Sequence, residues 1–270
     1  MAAKIWRRRA TLASLGPCIL PHYDFSAQRL HVENDLLEGA DVAPTPEALN
    51  YLVNVLRLRE GDPIVLFNGR DGEFLAHLRE VTRRSARLRI GKSLRLQTAR
   101  PDLDYCFSPL KQARLDYIAQ KATEMGAGRL VPVITRRTQV RRVNSARLRA
   151  NAIEAAEQCG VIAVPEVTEA VELPDFLAAF PAGRTLVFCD EDAPLANPVS
   201  ALSGRSGHGV SLLIGPEGGF DDTERAAIAR LPGCVTISLG PRILRADTAG
   251  VAALALLQAT LGDWGGGGRV

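Results

Sequence analysis

The chain has 270 residues, 46% of them hydrophobic and 23% charged, enough to bury one large core or two ordinary ones. A formal net charge of only +3 excludes a global basic field, so any attraction to nucleic acid must come from local clusters. Five scattered cysteines, Cys18, Cys106, Cys159, Cys189 and Cys234, form no C-x-x-C pair, so neither a disulfide framework nor a zinc site is suggested, which fits a reducing cytoplasm; no apolar run is long enough to span a membrane.

Residues 1–22 hold Arg7, Arg8, Arg9 and Thr11, then a short apolar stretch broken by Gly16 and Pro17. They read as a disordered extension or an upstream start, rather than as a signal or transit peptide. Residues 23–98 read as a small β-barrel. Pro63–Phe67 is a short strand after the Gly61-Asp62 turn, and Asn68-Gly69 and Asp71-Gly72 are turn dipeptides. Glu73–Glu80 and Ala86–Ile90 alternate apolar and charged residues, the period of half-buried antiparallel strands. Asn50–Leu58 is the expected helix of this half.

A linker near Pro101 opens the second unit, residues 99–264, where the pattern changes to alternating strands and helices. Strands are expected at Leu103–Phe107, Leu130–Ile134, Leu186–Cys189, Val210–Ile214 and Val235–Leu239. Helices are expected at Lys111–Met125, Ser145–Cys159 and Asp222–Leu231, the last started by an Asp221/Glu224 capping box. Thr248–Leu261 is almost wholly apolar, so a helix buried on most sides is expected, followed by a flexible tail at 265–270. This order defines an α/β fold with a parallel sheet covered by helices.

Ligands of such a sheet bind beyond the C-terminal strand ends. Three unusual loops stand there: Cys189-Asp190-Glu191-Asp192, Gly215-Pro216-Glu217-Gly218-Gly219-Phe220, and Gly240 to Thr248. The glycines of the second loop either let a ligand approach the backbone or make a tight strand-to-helix turn. P-loop and G-x-G-x-x-G fingerprints are absent, against a P-loop NTPase or an ordinary dehydrogenase. In the third loop Arg245 stands where a helix N-terminus favours anions, and either binds negative charge or pairs with Asp247. Two arginine runs, 79–95 and 136–149, are either solvated faces or phosphate-facing surfaces.

The segments Leu213 to Phe220 and Leu239 to Ala249 together resemble the RsmE family, 16S ribosomal RNA uridine N3-methyltransferases of the SPOUT superfamily. Val55 to Leu58, Gln120 to Gly126 and Glu157 to Gly160 fit it too, and the likeness runs from about Tyr23 to Trp264. The resemblance implies a trefoil-knotted methyltransferase domain behind a PUA-like RNA-binding barrel, a homodimer joined at the last helix, and the small ribosomal subunit as partner. It implies S-adenosylmethionine (AdoMet) as cofactor and no metal, with AdoMet against Cys189, Asp190, Ile214, Gly215, Glu217, Gly218, Gly219, Leu239, Gly240, Ile243 and Leu244. Arg57, Arg83, Arg84, Arg87 and Arg136 are the expected RNA-binding side chains. Arg245 would stabilise a uracil anion, and Glu157 and Asp247 are the candidates to take the N3 proton. The chain departs from the family at Asp247, where Glu is common, at Val161, where Arg is usual, and at Asn50 or Tyr51, where His is common. The alternatives are a SPOUT enzyme acting on another RNA, a non-catalytic assembly factor that keeps the AdoMet fold, and a plain RNA-binding protein.

Overall fold

The computed structural model describes residues 28–194, 196–205 and 209–265, so the expectations for residues 1–22 and 266–270 lie outside the described residues. The first unit is a five-stranded sheet of β1 (Arg29–His31), β2 (Asp41–Val42), β3 (Pro63–Phe67), β4 (Glu73–Arg79) and β5 (Arg87–Arg95), in the order β1-β3-β4-β5-β2. Only β1 and β3 pair in parallel. Alternate side chains Ile64, Leu66, Ala76, Leu78, Leu88 and Ile90 turn inward with Leu30, Val42 and Leu52 to make its core. β5 runs past the expected end at Ile90 because register shifts near Phe74 bend the pair and let pairing continue to Arg95. The expected helix 50–58 starts earlier, as α1 (Pro46–Leu49), where Thr45 caps the Ala48 N–H and Pro46 sets the first turn. It then widens into a π-helical turn, Asn50–Val55, with Leu56 N–H reaching the Tyr51 carbonyl at 2.9 Å.

The second unit is a seven-stranded sheet whose pairs are all parallel. Its members are β6 (Leu103–Phe107), β7 (Arg129–Ile134), β8 (Glu166–Val167), β9 (Val171–Glu172), β10 (Thr185–Cys189), β11 (Val210–Ile214) and β12 (Cys234–Ile237). The path is β12-β10-β11-β6-β7-β8, with β9 on β7. Strand residues feed two cores in alternation. Tyr105, Phe107, Val187, Leu212 and Ile214 face α2 (Gln112–Glu124), α3 (Ser145–Cys159), α5 (Pro198–Leu202) and α7 (Ala246–Thr260). Cys106, Leu186, Phe188 and Leu213 face α4 (Leu173–Ala178) and α6 (Asp222–Ala229). Both ends of α3 follow from sequence: Asn144 caps the Arg147 N–H, and Gly160 takes the left-handed conformation at φ 81° that stops the helix. α6 has the full capping box at Asp221 and Glu224. β12 ends at Ile237, two residues early, where the Ser238 hydroxyl takes the Gly240 N–H at 3.3 Å. α7 starts two residues early, and Val251, Ala252, Ala255 and Leu256 remain only half-buried, because nothing in the described chain covers that side.

The two units meet at a buried ion cluster. Glu73 of β4 is fully buried between Arg29 of β1, at 2.7 Å, and Arg95 of β5, at 2.5 Å. Both guanidiniums also reach the C-terminal end of α3, which carries negative dipole charge. Arg29 donates to the carbonyls of Ala156 and Val161, and Arg95 to that of Gly160 at 2.9 Å. Phe67 packs under the Arg29 guanidinium at 4.2 Å and against Ala156 and Val164. Replacing Glu73 with Ala strips this cluster of its carboxylate, and the expected loss is about 3–5 kcal/mol of stability, read by urea denaturation.

Candidate active site

β12, β10 and β11 are parallel neighbours, so their C-terminal ends share one edge of the sheet. The loops that leave this edge span residues 190–192, 215–220 and 238–245.

In the first loop Asp190, Glu191 and Asp192 close around Arg225 of α6, with Nε 3.1 Å from Asp190 and Nη2 2.8 Å from Glu191. The Asp190 N–H donates to the Ile237 carbonyl at 3.1 Å, which ties this loop to β12. Burial pushes the Cys189 thiol up, so it stays protonated and serves as apolar packing under the loop.

In the second loop the glycines mostly make room for protein. A Cβ on Gly215 would lie 2.5 Å from the Phe220 ring, which folds back over it and meets Phe188 edge-on at 5.0 Å. Gly219 sits at φ +66°, and a side chain there would strike Glu191. Gly218 lies along Arg137, whose Nη1 donates to its carbonyl at 2.7 Å. The Ile214 carbonyl takes the Ser108 N–H at 3.0 Å.

The third loop is more open. Gly240, at φ +101°, has no atom within 4 Å of where a Cβ would sit. It lines a cavity of about 640 Å³ together with Leu239, Pro241, Ala196, Pro198 and the α7 residues Ala252, Ala255 and Leu256. Of the expected cofactor contacts, Leu239 and Gly240 line this cavity, while Leu244 is half-buried and Ile243 is 92% exposed.

Arg245 caps α7 with its side chain exposed and in no ion pair among the described residues. Asp247 has a different partner. Its Oδ1 accepts the Thr248 N–H at 2.9 Å, and Oδ2 lies 3.8 Å from Nε of Arg114 on α2, whose Nη1 is 3.0 Å from Glu217. Arg114 thus joins the second loop to α7. One arginine on a helix face leaves no sequence pattern, so only the fold reveals it. Below lies Tyr105, whose hydroxyl leaves no room for a side chain at Gly250. Burial, with Cys189 and Asp247 nearby, holds its phenol far above the ordinary value, so it remains neutral.

Glu157 does not join this group within the chain. Its Oε1 accepts the His31 N–H at 2.8 Å at the junction of the two units, and burial there pushes its carboxyl up. Arg83 and Arg84 are exposed and unpaired, among the described residues, at the tip between β4 and β5, while Arg87 pairs with Glu80 at 2.9 Å. Arg57 is exposed at φ 58°, a left-handed position that costs a non-glycine residue about 1–2 kcal/mol. Arg136 is engaged at the α6 cap, with Nη1 2.8 Å from Asp221 and its N–H on Glu224 at 2.8 Å.

Comparison with known proteins shows the family. Residues 98–258 match a family model described as an RNA methyltransferase domain, and residues 44–91 one described as an RNA methyltransferase PUA domain. The chain is 31% identical over 232 residues to ribosomal RNA small subunit methyltransferase E of Rickettsia conorii, covering 85% of this chain and 94% of that protein. It is 29% identical to the Bacillus subtilis protein of the same name, covering 86% and 96%. The crystal structure of the Neisseria gonorrhoeae small subunit methyltransferase E, bound to S-adenosyl methionine, superposes with a TM-score of 0.77 at 27% identity over 88% of this chain and 99% of that one. The chain therefore belongs to the RsmE family of RNA methyltransferases, α/β enzymes that carry a PUA-like domain ahead of the catalytic one.

The glycine loop makes a paired prediction. Gly215→Ala must displace the Phe220 ring, and about 1–3 kcal/mol of stability should be lost. Gly218→Ala meets only an ordinary 3.5 Å contact with Arg137 and should melt like wild type in a thermal scan.

Proposed function

We propose that this chain, as a cytoplasmic homodimer, transfers the methyl group of AdoMet to N3 of a uridine in the 16S RNA of the small ribosomal subunit. Residues 23–98 would hold the RNA, and residues 99–264, threaded as a SPOUT knot, would carry the reaction. The observation that carries the reading is the exposed Arg245 beside Asp247 at the N-terminus of α7, next to the cavity at Leu239 and Gly240. The names of the Rickettsia and Bacillus relatives, and the ligand of the gonococcal protein, support it.

The residues present fit the cofactor. The cavity volume of about 640 Å³ is within the range of small-ligand sites, and Gly240 leaves the main chain bare toward open space. Leu239 and Gly240 would hold AdoMet through their backbone, with α7 as the apolar wall. AdoMet supplies a methyl group already activated for transfer. What the chain adds is alignment, exclusion of water and removal of the N3 proton. Asp247 accepts that proton, since Glu157 is engaged at the junction. Arg245 stabilises the charge that spreads onto the uracil oxygens. A second copy would cover Ile243 and the half-buried side of α7, closing the cavity from outside.

Single-turnover methyl transfer and AdoMet calorimetry on Arg245→Ala test the assignment. The expected outcome is a rate reduced by about 10²-fold with AdoMet affinity nearly unchanged, whereas an equal loss of both would make Arg245 a binding residue. Converting Arg83 and Arg84 to Gln should weaken RNA binding and flatten its salt dependence by about two phosphate contacts; an unchanged slope would mark this tip as a solvated turn.

A further inference from the structure

We propose that Arg114 is a positioning residue of this reaction, a single guanidinium that locks the glycine loop to the first turn of α7. The inference rests on the assignment of Asp247 made above. Arg114 lies on the first turn of α2, anchored by its N–H on the Lys111 carbonyl at 2.9 Å and by Leu115, its buried neighbour. From there one planar fork meets two carboxylates from different segments, Glu217 through Nη1 at 3.0 Å and Asp247 through Nε at 3.8 Å. Without a cation between them, two like charges would push the loop and the helix apart. A lysine offers one point charge on a mobile stem and cannot present two edges at fixed angles.

The lock bears on the orientation of Asp247. Oδ1 is taken by the Thr248 N–H, and Oδ2 feels Arg114 as an ion pair at 3.8 Å, longer than a hydrogen bond, which biases its direction electrostatically. Arg114 and Glu217 are about one-third exposed, so the pair is partly screened by water and adds little to folding. The glycine loop also keeps its second tether, Arg137 on the Gly218 carbonyl, when Arg114 is removed. Loss of Arg114 should therefore disturb geometry more than stability.

The test uses the full chain with AdoMet and 30S subunits, comparing wild type with Arg114→Ala, Arg114→Lys, Glu217→Gln, Asp247→Asn and the Arg114→Ala/Asp247→Asn double variant. Arg114→Ala should melt close to wild type, lose about tenfold or more in rate at saturation, and keep its KM for subunits within about threefold. Arg114→Lys should recover part of the rate. In the Asp247→Asn background Arg114→Ala should slow the reaction no further, the non-additivity of a residue that acts through another. A rate within about twofold of wild type, or losses that multiply in the double variant, would overturn the proposal. A fully active Asp247→Asn would sink the assignment of Asp247 instead. The lock to Glu217 would then stand or fall on calorimetry: equal weakening of AdoMet binding by Arg114→Ala and Glu217→Gln would support it, and unchanged binding in both would refute it.

Discussion

Parallel pairing of β12, β10 and β11 delivers three chain reversals to the same edge of one sheet, and the chemistry depends on that delivery. Both faces of these strands are buried, so the strands cannot slip without moving Val187, Leu212 and Ile214 out of one core and Leu186, Phe188 and Leu213 out of the other. With the strand ends fixed, the loops have few ways to pack. Phe220 fills the space over Gly215, and Glu191 the space over Gly219. An open volume lies at the third loop, where Gly240 meets α7.

Arginine does most of the joining between these parts. Arg225 gathers the acidic first loop, Arg137 holds the glycine loop by a carbonyl, and Arg114 spans from that loop to α7. Arg29 and Arg95 share Glu73 and reach the end of α3, fastening the PUA-like unit to the methyltransferase unit. Planar forks suit such bridging, because each guanidinium satisfies several acceptors at fixed angles. The net charge of only +3 comes from 30 acidic residues set against 33 lysines and arginines, and this pairing places many of those opposite charges side by side. Within the run at 136–149, Arg141 pairs with Glu172 and Arg147 with Asp116, leaving Arg142 exposed and unpaired among the described residues. The side chains of that run stay exposed, so it is a solvated face on which most of the arginines are paired with acidic neighbours.

Features encoded by local chemistry were legible in the sequence. The strands Pro63–Phe67, Leu103–Phe107 and Val210–Ile214, the helix Ser145–Cys159 and the Asp221 capping box follow from side-chain period and capping residues. What depends on distant neighbours was not. The π-helical turn after Leu49, the two-residue strand Asp41–Val42 and the extension of β5 to Arg95 arise from sheet pairing and core contacts that no short window contains. At the site, the sequence pointed to three loops, which the fold brings to one sheet edge, and to Arg245 and Asp247. It left the glycines open between ligand approach and a tight turn, and Gly215 and Gly219 pack against Phe220 and Glu191; it offered Glu157 as a candidate base, and the fold sets that side chain at the junction of the two units. Arg114 was invisible because its meaning lies in two partners more than a hundred residues away.

The most direct test of the central claim is product identity. Labelled AdoMet would be incubated with the protein and either 30S subunits or naked 16S RNA, and the modified nucleoside read by mass spectrometry. The account predicts N3-methyluridine at one site in the small-subunit RNA. Methyl groups on ribose or on another base, or no transfer to either substrate while AdoMet binds, would contradict it.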